Sequence, residues 1–189
     1  MAGLILDSST DTLILALDAP IRWRTFEDAA KIGSSLFSLL EDFIEKKPEY
    51  IAVGRGPGSY TGTRAAVAAA TGYAQGADIP LFLFPSPLAF LPQGECVAAL
   101  LEIKGVDECY ALFYERGVFR ELRAPLQDLL PLLASLDAVA SQQPLPQISH
   151  TPLQFHPEAG ISRIAAWVKP QLISSTPLDS QLVYLHQKM

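Results

Sequence analysis

Hydrophobic and polar positions divide this chain of 189 residues into short blocks of different period. Leu4, Ile5 and Leu6 run into the polar stretch Asp7-Ser8-Ser9-Thr10-Asp11, and two further apolar blocks, residues 13–17 and 21–26, are separated by Asp18-Ala19-Pro20. Short strand-forming runs joined by tight polar turns predict an antiparallel meander of three strands. From residue 28 to 46 the period changes to that of a helix: Ile32, Leu36, Leu39, Leu40 and Phe43 recur at steps of three and four, and Phe37 and Ile44 widen the stripe. A stripe that wide implies burial on more than one side. Residues 49–53 form a short apolar strand, and residues 61–75 a helix in which Gly62, Ala66, Ala70 and Ala74 fall every four positions. Small residues on one helix face let another backbone pack closely. A strand over 81–84 and a short proline-bounded helix over 87–91 complete a first lobe of order β-β-β-α-β-α-β, which ends at the weak boundary Pro92-Gln93-Gly94.

The second half is harder to divide. Residues 97–102, 109–114 and 118–122 read as strands, 126–136 and 161–168 as helices, and Pro144, Pro146, Pro152 and Pro157 punctuate the stretch between those helices. Strand-rich beginnings in both halves predict two related lobes, residues 1–94 and a smaller one over 95–189.

Composition narrows the function classes. With 49% hydrophobic and 18% charged residues the chain is globular. Its net charge of −6 and scattered lysines and arginines argue against direct nucleic-acid binding, which draws most of its affinity from neutralised phosphates. Cys96 and Cys109 fit neither a redox pair nor a zinc knuckle and read as structural thiols. Asp7 and Asp11 interrupt the N-terminal apolar run, so no signal peptide is expected. The longest uncharged apolar run, residues 79–92, carries four prolines and is too short for a bilayer, so the expected compartment is the cytoplasm.

The most specific segment is the loop Gly54-Arg55-Gly56-Pro57-Gly58-Ser59-Tyr60-Thr61-Gly62-Thr63-Arg64 between the fourth strand and the small-residue helix. Glycines are worth their entropy where the backbone bends unusually or something approaches closely. A phosphate cradle is one reading, but a P-loop needs a lysine before its Ser or Thr, and the Rossmann spacing meets Thr61 where its third glycine belongs. The alternative is close backbone packing, with Ser59 or Thr61 as the helix N-cap. The hydroxyl-rich turn Asp7, Ser8, Ser9 and Thr10 is a second candidate phosphate holder, although Ser8 stands where a glycine is expected. Asp7, Asp11, Asp18, Glu102, Asp107 and Glu108 form no recognisable two-metal set. His150, His156 and His186 match no zinc pattern, and no G-x-S-x-G elbow occurs. The residues alone give an enzyme little support, and neither cofactor nor metal is expected.

Leu4 to Thr10, the run from Gly54 to Arg64, the helix end Gly72-Tyr73-Ala74-Gln75-Gly76 and Ile79-Pro80-Leu81 together resemble the bacterial TsaB (YeaZ) family over residues 3–92. The resemblance implies a two-lobed α/β fold of the ASKHA (actin-like ATPase, ribonuclease H-like) type with mixed sheets and, here, a truncated second lobe. It implies a non-catalytic subunit that pairs with a TsaD-type transferase in making N6-threonylcarbamoyladenosine (t6A) beside the tRNA anticodon. A TsaE-type ATPase joins that assembly, tRNA is met only indirectly, and a homodimer forms when the partner is absent. The peptidase activity attached to the wider family by name, or an ATP-binding enzyme of the same fold, is the alternative. Asp7, Ser8, Ser9 and Thr10 then become a vestigial phosphate turn. The pairing surface carries over to Ile32, Leu36, Leu39, Leu40 and Phe43 on one helix and Gly62, Ala66, Ala70, Tyr73 and Ala74 on the next. Lys31-Ile32-Gly33-Ser34-Ser35 departs from the family's usual histidine-serine pair, and Glu102 to Glu108 from its usual Asp-Ala-Arg-x-Gly-Glu segment.

Overall fold

A computed structural model describes residues 2–27, 35–58, 60–103, 107–145 and 148–174. The apolar blocks at the N-terminus form β1 (Gly3–Asp7), β2 (Leu13–Asp18) and β3 (Ile21–Phe26), paired antiparallel as the alternation predicts. The chain then crosses through α1 (Leu36–Phe43) to β4 (Tyr50–Gly54) and through α2 (Tyr60–Ala77) to β5 (Leu81–Phe84). Both β4 and β5 run parallel to β1, which gives a mixed sheet of order β3-β2-β1-β4-β5. A 3-10 turn at Ser86–Phe90 follows.

One face of this sheet and the two helices make the first core. Leu4, Leu6, Leu13, Leu15, Ile51 and Val53 project from the strands to meet Leu36, Leu40 and Phe43 of α1 and Ala66, Ala70 and Ala74 of α2. The four-residue alanine spacing is a core seam, and its small side chains let α2 lie close on the strands. The helix predicted over 28–46 is shorter at its C-terminal end: α1 closes at Phe43, and Ile44 is extended. Arg22 explains the stop, because its guanidinium donates to the Phe43 carbonyl and stacks 4.8 Å from the Phe43 ring. A cation at a helix C-terminus satisfies carbonyls that the helix leaves open. Residues 28–34, including Ile32, lie outside the described residues.

The second sheet repeats the plan. The strands β6 (Cys96–Glu102), β7 (Cys109–Glu115) and β8 (Val118–Ala124) form an antiparallel meander, and β9 (Ala138–Ser141) and β10 (His150–Pro152) add on parallel to β6. The order β10-β9-β6-β7-β8 is that of the first sheet. The helix α3 (Leu126–Leu133) covers one face, its Leu129 and Leu133 packing with Ala98, Leu100, Ala111, Phe113 and Val139. The last helix, α4 (Pro157–Ser174), is longer than the predicted 161–168. Sequence patterning missed β9 and β10, the one only four residues of small side chains and the other three residues ending in proline. The two sheets differ in their connections. The β4 to β5 crossover carries an 18-residue helix, whereas β9 and β10 are joined by residues 142–149 with no helix among those described.

By compactness the described residues form two units, one of residues up to Ser86 together with 161–174, the other of Pro87–Gly160.

Candidate functional site

Three neighbouring parallel strands, β1, β4 and β5, end at one edge of the first sheet. The register that aligns Leu6 with Val53 and Gly54 with Phe84 places Asp7 beside Gly54 and brings Ser86 in just beyond β5. In open α/β sheets this carboxyl edge is where ligands bind. Two motifs far apart in sequence, the Asp7 turn and the glycine loop, therefore meet here.

They are pressed together. A β-carbon added to Gly54 would lie 2.0 Å from Asp7 Oδ2 and 2.6 Å from Ser86 Oγ, and one added to Gly58 would lie 2.4 Å from the Ser9 Cα. Only glycine fits at either position, which is the close approach that the loop's composition implied. Gly56 adds the bend at φ 90°. Hydrogen bonds fasten the contact: Gly56 N–H donates to Ser86 Oγ at 3.0 Å, Ser86 N–H to the Gly56 carbonyl at 3.0 Å, and Arg55 N–H to the Phe84 carbonyl at 2.8 Å. The Ser8 hydroxyl donates to the Gly62 carbonyl at 2.7 Å in the first turn of α2.

Asp7, Ser8, Ser9, Thr63 and Ser86 are all buried. Asp7 Oδ1 accepts the Ser9 N–H at 2.7 Å, while Asp7 Oδ2, Ser9 Oγ and Thr63 Oγ1 have no partner. Burial raises the Asp7 carboxyl above the ordinary carboxylate range, offset in part by the nearby Ser9 and Ser86 hydroxyls. Among the described residues no group of three His, Cys, Asp or Glu side chains gathers as a metal site.

The sequence-derived site residues separate into groups. Asp7, Ser8, Ser9, Gly54, Gly56, Pro57, Gly58 and Gly62 are buried at this edge. Thr10 is outside it, its hydroxyl closing a local turn on the backbone of Thr12. Arg55 is half-buried and Arg64 exposed, and both have interaction partners. Thr61 is not the N-cap, because α2 begins at Tyr60; Ser59 lies outside the described residues. Ser86 was not foreseen. Between two prolines it has no motif, and only the β4–β5 pairing delivers it.

On the helices the outcome differs residue by residue. Leu36, Leu40, Phe43, Ala66, Ala70 and Ala74 fill the chain's own core, with Leu39 and Tyr73 packed against it. None of the six is open to a partner. The outward side of α1 instead carries Phe37, 49% exposed, and that of α2 carries Ala68, Gly72 and Gly76. A β-carbon on Gly72 or Gly76 would meet nothing within 4 Å. The helix thus has two small-residue stripes, one turned to the core and one to solvent.

No curated protein matches the chain in sequence. Two of the solved structures that share its fold stand at TM-score 0.67. One is YeaZ from Pseudomonas aeruginosa, at TM-score 0.67 and 23% identity over 93% of this chain and 94% of that one. The other is described as an uncharacterized protein with similarity to peptidase YeaZ from Pseudomonas aeruginosa, at TM-score 0.67 and 22% identity over 96% and 99%. Two mixed sheets of this order, with helices, give the chain an α/β fold of the ASKHA, ribonuclease H-like type, shared with those structures. Residues 37–94 match the family model described as TsaD, tRNA N6-adenosine threonylcarbamoyltransferase. No helix among the described residues is long and apolar enough to cross a membrane.

Proposed function

We propose that this chain is a non-catalytic scaffold that activates a TsaD-type transferase in the t6A modification of tRNA. The observation that carries the reading is the closed Asp7 turn. The turn that would face phosphates in an ATP-using relative of this fold is covered by the chain's own glycine loop, with Gly58 against Ser9 and Gly54 against Asp7. A nucleotide phosphate would have to displace a hydrogen-bonded loop and would meet a buried carboxyl. Partner binding falls instead to the outer sides of α1 and α2, where Phe37 supplies an apolar anchor and Gly72 and Gly76 leave room for a close-packed backbone. The TsaD-type transferase is the expected partner, a TsaE-type ATPase joins through that pair, and a second copy of the chain competes for the same face. The site of action is the cytoplasm.

Calorimetry with magnesium and ATP, together with co-purification with the transferase, tests this. The scaffold reading expects heat near zero with the nucleotide and a stable heterodimer that replaces any homodimer. A specific observation favours the alternative of an ATP-binding enzyme: Asp7 Oδ2, Ser9 Oγ and Thr63 Oγ1 are buried without partners, as groups awaiting a ligand would be. Tight magnesium-dependent ATP binding by the isolated chain would establish that alternative and overturn the scaffold.

A further inference from the structure

The polar cluster at the carboxyl edge of the first sheet contains one ionisable group, Asp7, to which the scaffold reading gives no task. Its side chain is fully buried. In the sheet β2 sets Ile14 opposite it, β4 sets Gly54 against Oδ2, and Ser86 stands just beyond β5. The charged side chains on the segments packed around it are Asp11 after the turn, Arg55 beside Gly54 and Arg64 in α2. Asp11 and Arg64 are exposed, and Arg55 and Arg64 have interaction partners. None of the three sets the state of the Asp7 carboxyl, which burial governs first and the Ser9 and Ser86 hydroxyls and the Ser9 N–H after it.

A neutral carboxyl suits this place and an ionised one does not. Asp7 Oδ1 accepts the Ser9 N–H at 2.7 Å, whereas Oδ2 and Ser9 Oγ are buried without partners. A proton on Oδ2 supplies the donor that this pair lacks. Without it a full charge is left out of water with no counter-charge, among the most unfavourable states a side chain can adopt. The glycine loop cannot easily give way, because Gly56 is tied to Ser86 through both its N–H and its carbonyl. The turn after Asp7 can, since the β1–β2 pairing ends at Asp7 and Ile14. What ties that turn across the contact is the Ser8 hydroxyl on the Gly62 carbonyl at 2.7 Å, in the first turn of α2. We propose that Asp7 is a proton-operated latch: loss of its proton lifts the Asp7 turn off the glycine loop, breaks the Ser8–Gly62 hydrogen bond and frees the first turn of α2. The opening is a property of the chain by itself; that it alters how firmly α2 offers its outer stripe to the transferase rests on the proposed function.

The test is hydrogen exchange of the full chain without partners, read by NMR between about pH 4.5 and 8 and corrected for the exchange of an unstructured chain. Once open, Asp7 ionises near its ordinary value of 3.8, while the closed turn keeps the proton to higher pH. Opening therefore releases one proton in the interval between, so it should become about tenfold more favourable per pH unit and level off above the closed-state value. The amides of Ser9 and of residues 64–66 should lose protection with that slope, while those of Ile5 and Ala52 in the middle of the sheet keep theirs. Asp7→Asn retains an acceptor for the Ser9 N–H and has no proton to lose, so its protection should not change with pH. A second readout needs no variant: the 13C shift of the Asp7 carboxyl should titrate with its midpoint at the pH where the loss of protection levels off. The proposal is overturned if protection at Ser9 and residues 64–66 is flat with pH, or if Ile5 and Ala52 lose theirs in step. It is equally overturned if folded Asp7→Asn keeps the wild-type slope, or if the carboxyl midpoint and the levelling-off disagree.

Discussion

Gly54→Ala places one methyl group where the Asp7 turn and the glycine loop touch. The new carbon would lie 2.0 Å from Asp7 Oδ2 and 2.6 Å from Ser86 Oγ, well inside van der Waals contact. Neither neighbour is free to retreat. Asp7 ends a strand paired on both sides and holds the Ser9 N–H, and Ser86 Oγ accepts the Gly56 N–H while its own N–H holds the Gly56 carbonyl. Overpacking a rigid core costs about 1–3 kcal/mol, and losing one of these buried hydrogen bonds adds about 1–3 kcal/mol. The sum, about 4 kcal/mol, is a large part of the roughly 5–15 kcal/mol that stabilises a typical domain. For a chain of this size it corresponds to a fall in Tm of roughly 8–16 °C. Urea and thermal melts followed by circular dichroism measure both. A second variant locates the strain: adding Asp7→Ala to Gly54→Ala removes the carboxyl that the methyl strikes and should restore about half of the loss, a coupling that a double-mutant cycle reads directly. If Gly54→Ala melts within about 1 kcal/mol of wild type, or if the two changes are additive, the loop does not press on Asp7 and the closed-turn argument fails.

Three further outcomes follow from the same geometry. Because burial raises the folded-state pKa of Asp7, its proton is held more tightly in the native than in the unfolded chain, so its contribution to stability is full at pH below its unfolded value of 3.8 and is lost as pH rises through the folded value. Asp7→Asn should therefore remove that decline and be more stable than wild type at pH 8 but not at pH 3.5, as denaturant titrations at the two pH values would reveal; equal differences at both would contradict it. Ala70→Glu puts a charge at a position with 0% exposure and should abolish cooperative folding in a thermal melt, whereas retained melting would move Ala70 out of the core. Gly72→Leu, on the open stripe of α2, should leave the isolated chain at least as stable, since glycine in a helix costs about 1 kcal/mol, yet weaken transferase binding by about tenfold or more on a sizing column or by calorimetry. Undiminished binding would remove this stripe from the interface.

Much of the first lobe is legible in the residue pattern because its elements have clean periods. The polar turns at Asp7 to Asp11 and Asp18 to Pro20 separate apolar runs that can only be strands, and the alanine spacing of α2 is helical throughout. Pattern does not say which way a helix faces. Ala66, Ala70 and Ala74 read equally as interface or core, and the sheet decides, since Ile51 and Val53 need a cover that only small side chains let come so near. The outer stripe of Ala68, Gly72 and Gly76 has the same spacing two positions on, and burial alone tells the two apart. The site was half visible. Glycine content marked a close approach, but that Asp7 and Ser86 are what the loop approaches depends on parallel pairing between strands about 45 and 30 residues apart, which no local signal encodes. In the second lobe β9 and β10 escaped notice because strands of four and three residues carry too little alternation, and proline masked the latter.

The central claim is that this chain acts by positioning a catalytic partner and performs no chemistry itself. The direct measurement is threonylcarbamoyl transfer to unmodified tRNA, with the purified TsaD-type transferase and TsaE-type ATPase held constant while this chain is added, omitted or replaced by Gly72→Leu. The account expects t6A to form only with the wild-type chain present, to fall sharply with Gly72→Leu, and to be absent with this chain alone. Full transfer in its absence, or nucleotide turnover by this chain on its own, would contradict it.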